Sequence, residues 1–215
     1  MEKEKSLFGF VIYPGFTGLD LIGPHEVLTR CDGARCILIA KNLETVISEH
    51  NIRILPDETF KTCSKLDVLI VPGGPGQTQA MEDSELINFI MEQSAQAKLT
   101  TSVCTGALLL AKAGILGGRP ATTHWLAMEE LARLGGLPRR ERIVKDGKVM
   151  TGAGVSAGID MALAIVADLY GPEEAQRIQL MIEYDPQPPF DSGSPEKAQK
   201  ILVDQLKRKS RFYHG

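Results

Sequence analysis

The chain is poor in cysteine for a secreted scaffold and has none of the cysteine patterns that carry metals or redox pairs. Cys31, Cys36, Cys63 and Cys104 form neither a C-x-x-C pair nor a Cys/His cluster with zinc spacing, and four cysteines in 215 residues make no disulfide framework. The expectation is a reduced, cytoplasmic protein that holds no metal. Long apolar runs are also missing, so no segment reads as a membrane span. The start, "MEKEKSLFGFVIYPG", lacks the extended apolar stretch and small-residue cleavage site of a signal peptide. An excess of positive charge is absent too: the formal charge is −3, which makes neither nucleic acid nor a membrane surface the expected partner. The one dense basic run, "KRKSR" from Lys207 to Arg211, reads as a solvated tail or a last helix turn. There is no internal repeat, low-complexity tract or interdomain linker. Residues 1–215 are therefore read as one domain.

What is present is ordinary globular composition, 43% hydrophobic and 24% charged, enough for a full core. Short apolar runs alternate with helix-length segments, the pattern of a parallel sheet covered on both faces, so the fold class is α/β. "LFGFVIY", "CILIA", "LDVLIVPGG" and "LTTSV" read as strands, their Val, Ile and Leu content suiting burial on both faces. "DSELINFIMEQSAQA" has apolar residues at helical spacing behind an acidic, cap-forming start. "ATTHWLAMEELARLGG" gives a short strand and a helix, and the Asp146-Gly147 pair in "RIVKDGKVM" marks a hairpin. "SAGIDMALAIVADLYG" is apolar on most sides, which predicts an interior helix. "PEEAQRIQLMIEY" starts with proline at a favoured first helical position and aligns Ile178, Met181 and Ile182 on one face. The Pro-rich "DPQPPFDSGSPEK" reads as extended surface chain before a last polar helix.

Cys104, in "TSVCTGALLLAKAG", stands where a strand ends and a small-residue helix begins. Ligands of α/β sheets collect at the carboxyl ends of strands, and helix N-terminal amides near the sulfur favour thiolate, so the position suits a nucleophile. The alternative is a small buried hydrophobe. Asp20 interrupts the apolar run of "GLDLIGPHEVL": it is either an N-cap or a desolvated carboxyl with raised pKa that passes protons to a thiol-bound substrate. His25 and Glu26, just beyond, read as a solvated helix face. Gly74 lies in "VPGGPGQ", a glycine turn able to aim backbone N–H groups into a cleft or simply to turn tightly. Its spacing is neither a P-loop nor a dinucleotide fingerprint. His124 is a base for Cys104 or a packed core histidine beside Trp125. "TGAGVSAG", with Val155, brings backbone near the same pocket or merely permits close helix packing.

Taken together, "LDLIGPHEVL", "VPGGPG", "TSVCTGALLLAKAGILGGRPATTHW", "TGAGVSAGID" and "AQRIQLMIEYDPQPPFDSGSP" resemble the PfpI-like superfamily, relatives of class I glutamine amidotransferases. The likeness runs from about Phe8 to about Pro195 and is strongest to the branch that hydrates isonitriles. It implies a flavodoxin-like three-layer sandwich, a homodimer, no metal or organic cofactor, and Cys104 as the elbow nucleophile. It sets Asp20 against the thiol, puts Thr105 directly after the cysteine, and brings the Val155 backbone near the sulfur. Peptidase-like members carry a histidine where this chain has Thr105, which argues against an adjacent Cys-His pair. The implied reaction takes a small apolar isonitrile, R–N≡C: thiol attack and protonation of carbon give a thioimidate, and water releases an N-substituted formamide. Thr105 and Gly74 N–H groups would steady the developing charge. Other activities on the same scaffold are glyoxalase or amidase chemistry, or a cysteine-based stress or redox sensor.

Overall fold

The structure, a computed structural model, describes residues 5–213. The charged residues 1–4 of the N-terminal start considered above lie outside that range. Each Val/Ile/Leu-rich run predicted as a strand is one. In chain order the strands are β1 (Ser6–Val11), β2 (Ala34–Ala40), β3 (Val46–Ile47), β4 (Arg53–Ile54), β5 (Glu58–Thr59), β6 (Val68–Val71), β7 (Leu99–Val103), β8 (Pro120–Ala121), β9 (Leu137–Pro138), β10 (Ile143–Asp146) and β11 (Val149–Gly152). Seven of them form one sheet in the order β10-β11-β7-β6-β1-β2-β5, while β3–β4 and β8–β9 are small separate pairs. All pairings in the large sheet are parallel except the β10–β11 hairpin, which turns at Gly147 as the Asp-Gly pair predicts.

The central strands are buried along their whole length: every residue of β6 and β7 is inaccessible, and Phe8 and Phe10 of β1 are fully covered. Burial on both faces explains why these segments show continuous apolar runs rather than alternation. The helices are α1 (Gly18–Leu28), α2 (Gln77–Ala80), α3 (Ser84–Gln96), α4 (Gly106–Lys112), α5 (Met128–Arg133), α6 (Ala157–Tyr170), α7 (Pro172–Met181) and α8 (Lys200–Lys209). α1 packs on α6 and α6 on α7, whereas α3 and α4 pack on each other and on β6.

Topology locates the site. From β1 the chain crosses by α1 to β2 on one side; from β6 it crosses by α3 to β7 on the other. Right-handed crossovers in opposite directions put those helices on opposite faces, and the strand order reverses between β1 and β6. A crevice must open there, at the carboxyl ends of the strands. The turns leaving β1, β6 and β7 lead to Asp20, Gly73–Gly74 and Cys104.

Two helical expectations need adjustment. α6 buries one face, through Met161, Ala162, Ile165 and Val166, and leaves Ile159 and Leu163 half-covered, so it is a flank of the core rather than its interior. On α7 only Ala175 and Ile178 are buried. Met181 points outward at 57% exposure because the helix ends there and the chain reverses at Glu183, whose φ is +51°. α8 buries no residue, as a polar final helix should, and residues 185–196 run over the surface without helix or strand.

Candidate active site

The five buried residues of β7 deliver Cys104 to the top of the sheet with φ +55°, a left-handed conformation that costs a non-glycine residue about 1–3 kcal/mol. The surroundings hold it there. Its N–H donates to Ala153 O at 2.9 Å and Gly152 O at 3.2 Å, and its carbonyl accepts the Thr123 hydroxyl at 2.9 Å. The turn after β6 comes into backbone contact with this elbow. A Cβ on Gly106 would sit 2.2 Å from Val71 O, and one on Gly73 would sit 2.4 Å from Thr105 N, so both positions exclude a side chain.

The Thr105 and Val155 N–H groups act on the Cys104 sulfur and favour its ionisation, as expected for a helix start. They are outweighed. Burial, followed by the charge of Asp20, pushes the thiol up to about 12, so the resting group is a thiol and not the thiolate that the helix amides alone would give.

Asp20 is no N-cap. Thr17 occupies that position, and Asp20 lies inside the first turn of α1 with no accessible surface. Its Oδ2 accepts the Gly73 N–H at 2.8 Å; Oδ1 makes no hydrogen bond among the described residues, and the Cys104 thiol acts on the same carboxyl. Burial raises the carboxyl to about 7, more than the Gly73 N–H and the thiol lower it, and Glu49 adds a small upward push. The Gly73 turn is pinned from β1 and α1: the Tyr13 hydroxyl donates to Pro72 O at 2.8 Å, and the Thr17 N–H donates to Gly73 O at 2.8 Å.

The other anticipated residues fall around the same cavity, of about 440 Å³, which Cys104, Thr105, Gly74, Val155 and His124 all line. Gly74 differs in detail from its expected part. Its N–H donates to Thr105 Oγ1 at 2.9 Å instead of opening into the cleft. His124 is half-buried, accepts the Leu126 N–H on Nδ1 at 3.3 Å, and has no hydrogen bond to Cys104 among the described residues. Burial holds its pKa below the ordinary imidazole value, which keeps the ring neutral. His25 is not a freely solvated group: it is half-buried with its ring tilted against Phe10, while Glu26 is exposed.

Two polar residues at the cavity escaped the reading of the sequence. Glu49 accepts the Thr17 hydroxyl at 2.7 Å. Arg211, the last residue of "KRKSR", sends its guanidinium into the mouth of the cavity and donates to Gly74 O at 2.9 Å. The solvated-tail expectation is thus corrected for Arg211. A basic run next to Phe212 gave no periodic signal that one of its members turns inward. Among the described residues, no group of three His, Cys, Asp or Glu is placed to hold a metal ion, and no helix is long and apolar enough to cross a membrane.

Comparison with known proteins agrees with the fold. An isonitrile hydratase of Pseudomonas putida is 45% identical over 202 residues, covering 94% of this chain and 89% of the relative. The crystal structure of a THiJ/PfpI family protein from Pseudomonas syringae superposes with a TM-score of 0.93 at 40% identity, over 95% of this chain and 86% of that one. Drosophila melanogaster DJ-1beta superposes at 0.76 with 26% identity, over 83% and 98% of the two chains. The model of the DJ-1/PfpI family matches residues 8–168, with most of β1, the glycine turn, the cysteine elbow and most of α6 inside the match, and the chain belongs to that family.

Proposed function

We propose that this chain hydrates isonitriles to N-substituted formamides, with Cys104 as nucleophile and Asp20 as proton carrier. The observation that carries the reading is the buried Asp20–Cys104 pair, in a chain 45% identical to an isonitrile hydratase. A neutral substrate of this kind needs a strong nucleophile and one proton delivered to carbon, and little else. With the thiol pushed up and the carboxyl near 7, the pair sheds its second proton around neutral pH, and above that it holds a single proton, on sulfur at rest.

The steps balance within that pair. As sulfur attacks the terminal carbon of R–N≡C, its proton passes to Asp20, and Asp20 delivers it to the carbon, leaving R–N=CH–S–Cys104. The carboxylate then takes a proton from water as the oxygen adds to that carbon, and passes it to nitrogen, giving R–NH–CH(OH)–S–Cys104. The C–S bond breaks as the hydroxyl proton moves through Asp20 to sulfur, so the formamide R–NH–CHO leaves and the thiol is restored. No electrons are exchanged with an outside partner. Thr105 and Val155 N–H groups support charge on sulfur both when it attacks and when it departs. In this arrangement the Gly74 N–H serves by holding the Thr105 hydroxyl. Leu126, Val155 and Phe212 offer an apolar wall to the R group, and His124 belongs to that wall rather than to the proton path.

A homodimer is part of the same reading, supported by Leu19 and Ile22, which α1 leaves 44% and 41% exposed. The mechanism is tested by rapid quench and intact mass measurement during turnover of an alkyl isonitrile. Expected is a transient adduct on Cys104 equal to the mass of the whole isonitrile; turnover with no such species on any cysteine contradicts the thioimidate.

A further inference from the structure

Nothing in the steps above uses Arg211, yet it lines the cavity and its charge acts on the Cys104 sulfur. α8 ends at Lys209, and the chain then turns back at Ser210, whose Oγ and carbonyl accept the N–H groups of Phe212 and Tyr213 at 3.1 Å each. This strap lies across the cavity that contains Cys104. Although Arg211 is solvent-exposed as a residue, its Nη2 reaches Gly74 O at 2.9 Å, Gln77 Oε1 at 3.2 Å and Thr105 Oγ1 at 3.5 Å, with the guanidinium 4.6 Å from the Phe212 ring centroid. Its hydrogen-bond partners therefore lie on the turn after β6, on α2 and directly after Cys104, and not on α8.

The charged and titratable groups facing this spot come from every side. Asp20 comes from α1, Tyr13 from the end of β1, Glu49 from the loop held by Thr17, His124 from the loop before α5, and Lys209 from α8. Asp20 opposes ionisation of the sulfur, and Glu49 lies on the same anionic side. Arg211 acts in the other direction, its charge felt by the sulfur and by Tyr13, while the Asp20 carboxyl is governed by burial, Gly73, the thiol and Glu49. A cation that acts on sulfur more than on the carboxyl biases the shared proton away from sulfur. The same side chain also fixes the Gly74 peptide, whose N–H holds Thr105.

We propose that Arg211 is a positioning residue of the reaction: seated on Gly74, Gln77 and Thr105, it closes the cavity over Cys104 and adds its charge to the Thr105 and Val155 amides that favour sulfur as the nucleophile. The inference rests on the reading of Cys104 as the nucleophile. It makes the strap part of activation as well as a cover.

Charge and cover are separable because they move thiol reactivity in opposite directions. Alkylation of Cys104 by iodoacetamide at pH 8, followed on the Cys104 peptide by mass spectrometry and without isonitrile, is compared in wild type, Arg211→Gln and Arg211→Lys. Loss of the charge is expected to slow alkylation about two- to threefold in Arg211→Gln, the effect of less than about half a pKa unit on the thiolate fraction, even though the cavity is more open. Arg211→Lys is expected to recover most of the rate. In the formamide assay the same loss falls on kcat, with KM within about threefold. Alkylation in Arg211→Gln as fast as wild type, or faster, overturns the proposal and leaves Arg211 a mere cover. Slowed and lysine-rescued alkylation in a protein that makes no formamide sustains the role of Arg211 and removes the isonitrile reading alone.

Discussion

Asp20 accepts the Gly73 N–H on one carboxylate oxygen, 2.8 Å away, and among the described residues its other oxygen has no hydrogen bond, while the Cys104 thiol acts on the same carboxyl. The two groups arrive on different elements, α1 and the β7–α4 elbow, and meet because the strand order reverses between β1 and β6. A buried carboxyl with an unused oxygen is costly to the fold and useful to proton transfer.

That cost has a measurable sign. Asp20 is raised to about 7 when folded, from 3.8, so between those values the folded chain holds a proton that the unfolded chain has lost. Stability from this group is complete below pH 3.8 and is lost as pH rises through 7. Asp20→Asn keeps an acceptor for Gly73 and carries no charge. It is expected to be more stable than wild type at pH 8, by on the order of 2–4 kcal/mol, with the gap shrinking toward pH 5. Urea unfolding at both pH values checks this.

The same group sets the pH dependence of the reaction. Below pH 7 the carboxyl is protonated and cannot take the thiol proton, so kcat/KM is expected to rise about tenfold per pH unit up to about 7 and to level off above it. A profile still falling steeply from pH 9 to pH 7, with its bend displaced toward the thiol value of about 12, would assign the essential ionisation to the cysteine alone.

Thr105 acts through its hydroxyl as well as its amide. Thr105→Val strands the buried Gly74 N–H, and a loss of about 1–3 kcal/mol in stability is expected together with reduced kcat. Thr105→Ser keeps the acceptor and should remain within about 1 kcal/mol of wild type in the same unfolding experiment. Equal stability of the valine and serine variants would remove the hydroxyl from the account.

Much of this was legible in the sequence because it rests on local rules. The strands announce themselves as uninterrupted Val, Ile and Leu, the hairpin as Asp146-Gly147, and the elbow as a strand running into "CTGA". Asp20 stood out as an acid among leucines, though spacing could not separate a cap from a buried carboxyl; that choice depends on Thr17 taking the cap and on the β6 turn supplying Gly73. The resting state of Cys104 was hidden for a similar reason. Helix amides are visible in sequence, whereas the burial that overcomes them comes from distant elements. Arg211 was read as solvent-facing because nothing in "KRKSR" encodes the turn at Ser210 or the Gly74 carbonyl waiting across the cavity.

The central claim is that Cys104 and Asp20 together hydrate isonitriles. Its most direct test is steady-state formation of an N-substituted formamide from an alkyl or aryl isonitrile by reduced wild type, Cys104→Ala and Asp20→Asn. Formamide from wild type, and loss of turnover in both variants while circular dichroism shows the fold unchanged, is the result predicted here. Appreciable turnover by Cys104→Ala, or a folded and reduced wild type that forms no formamide, would contradict it and turn attention to lactate from methylglyoxal, ammonia from amides, or oxidation of Cys104.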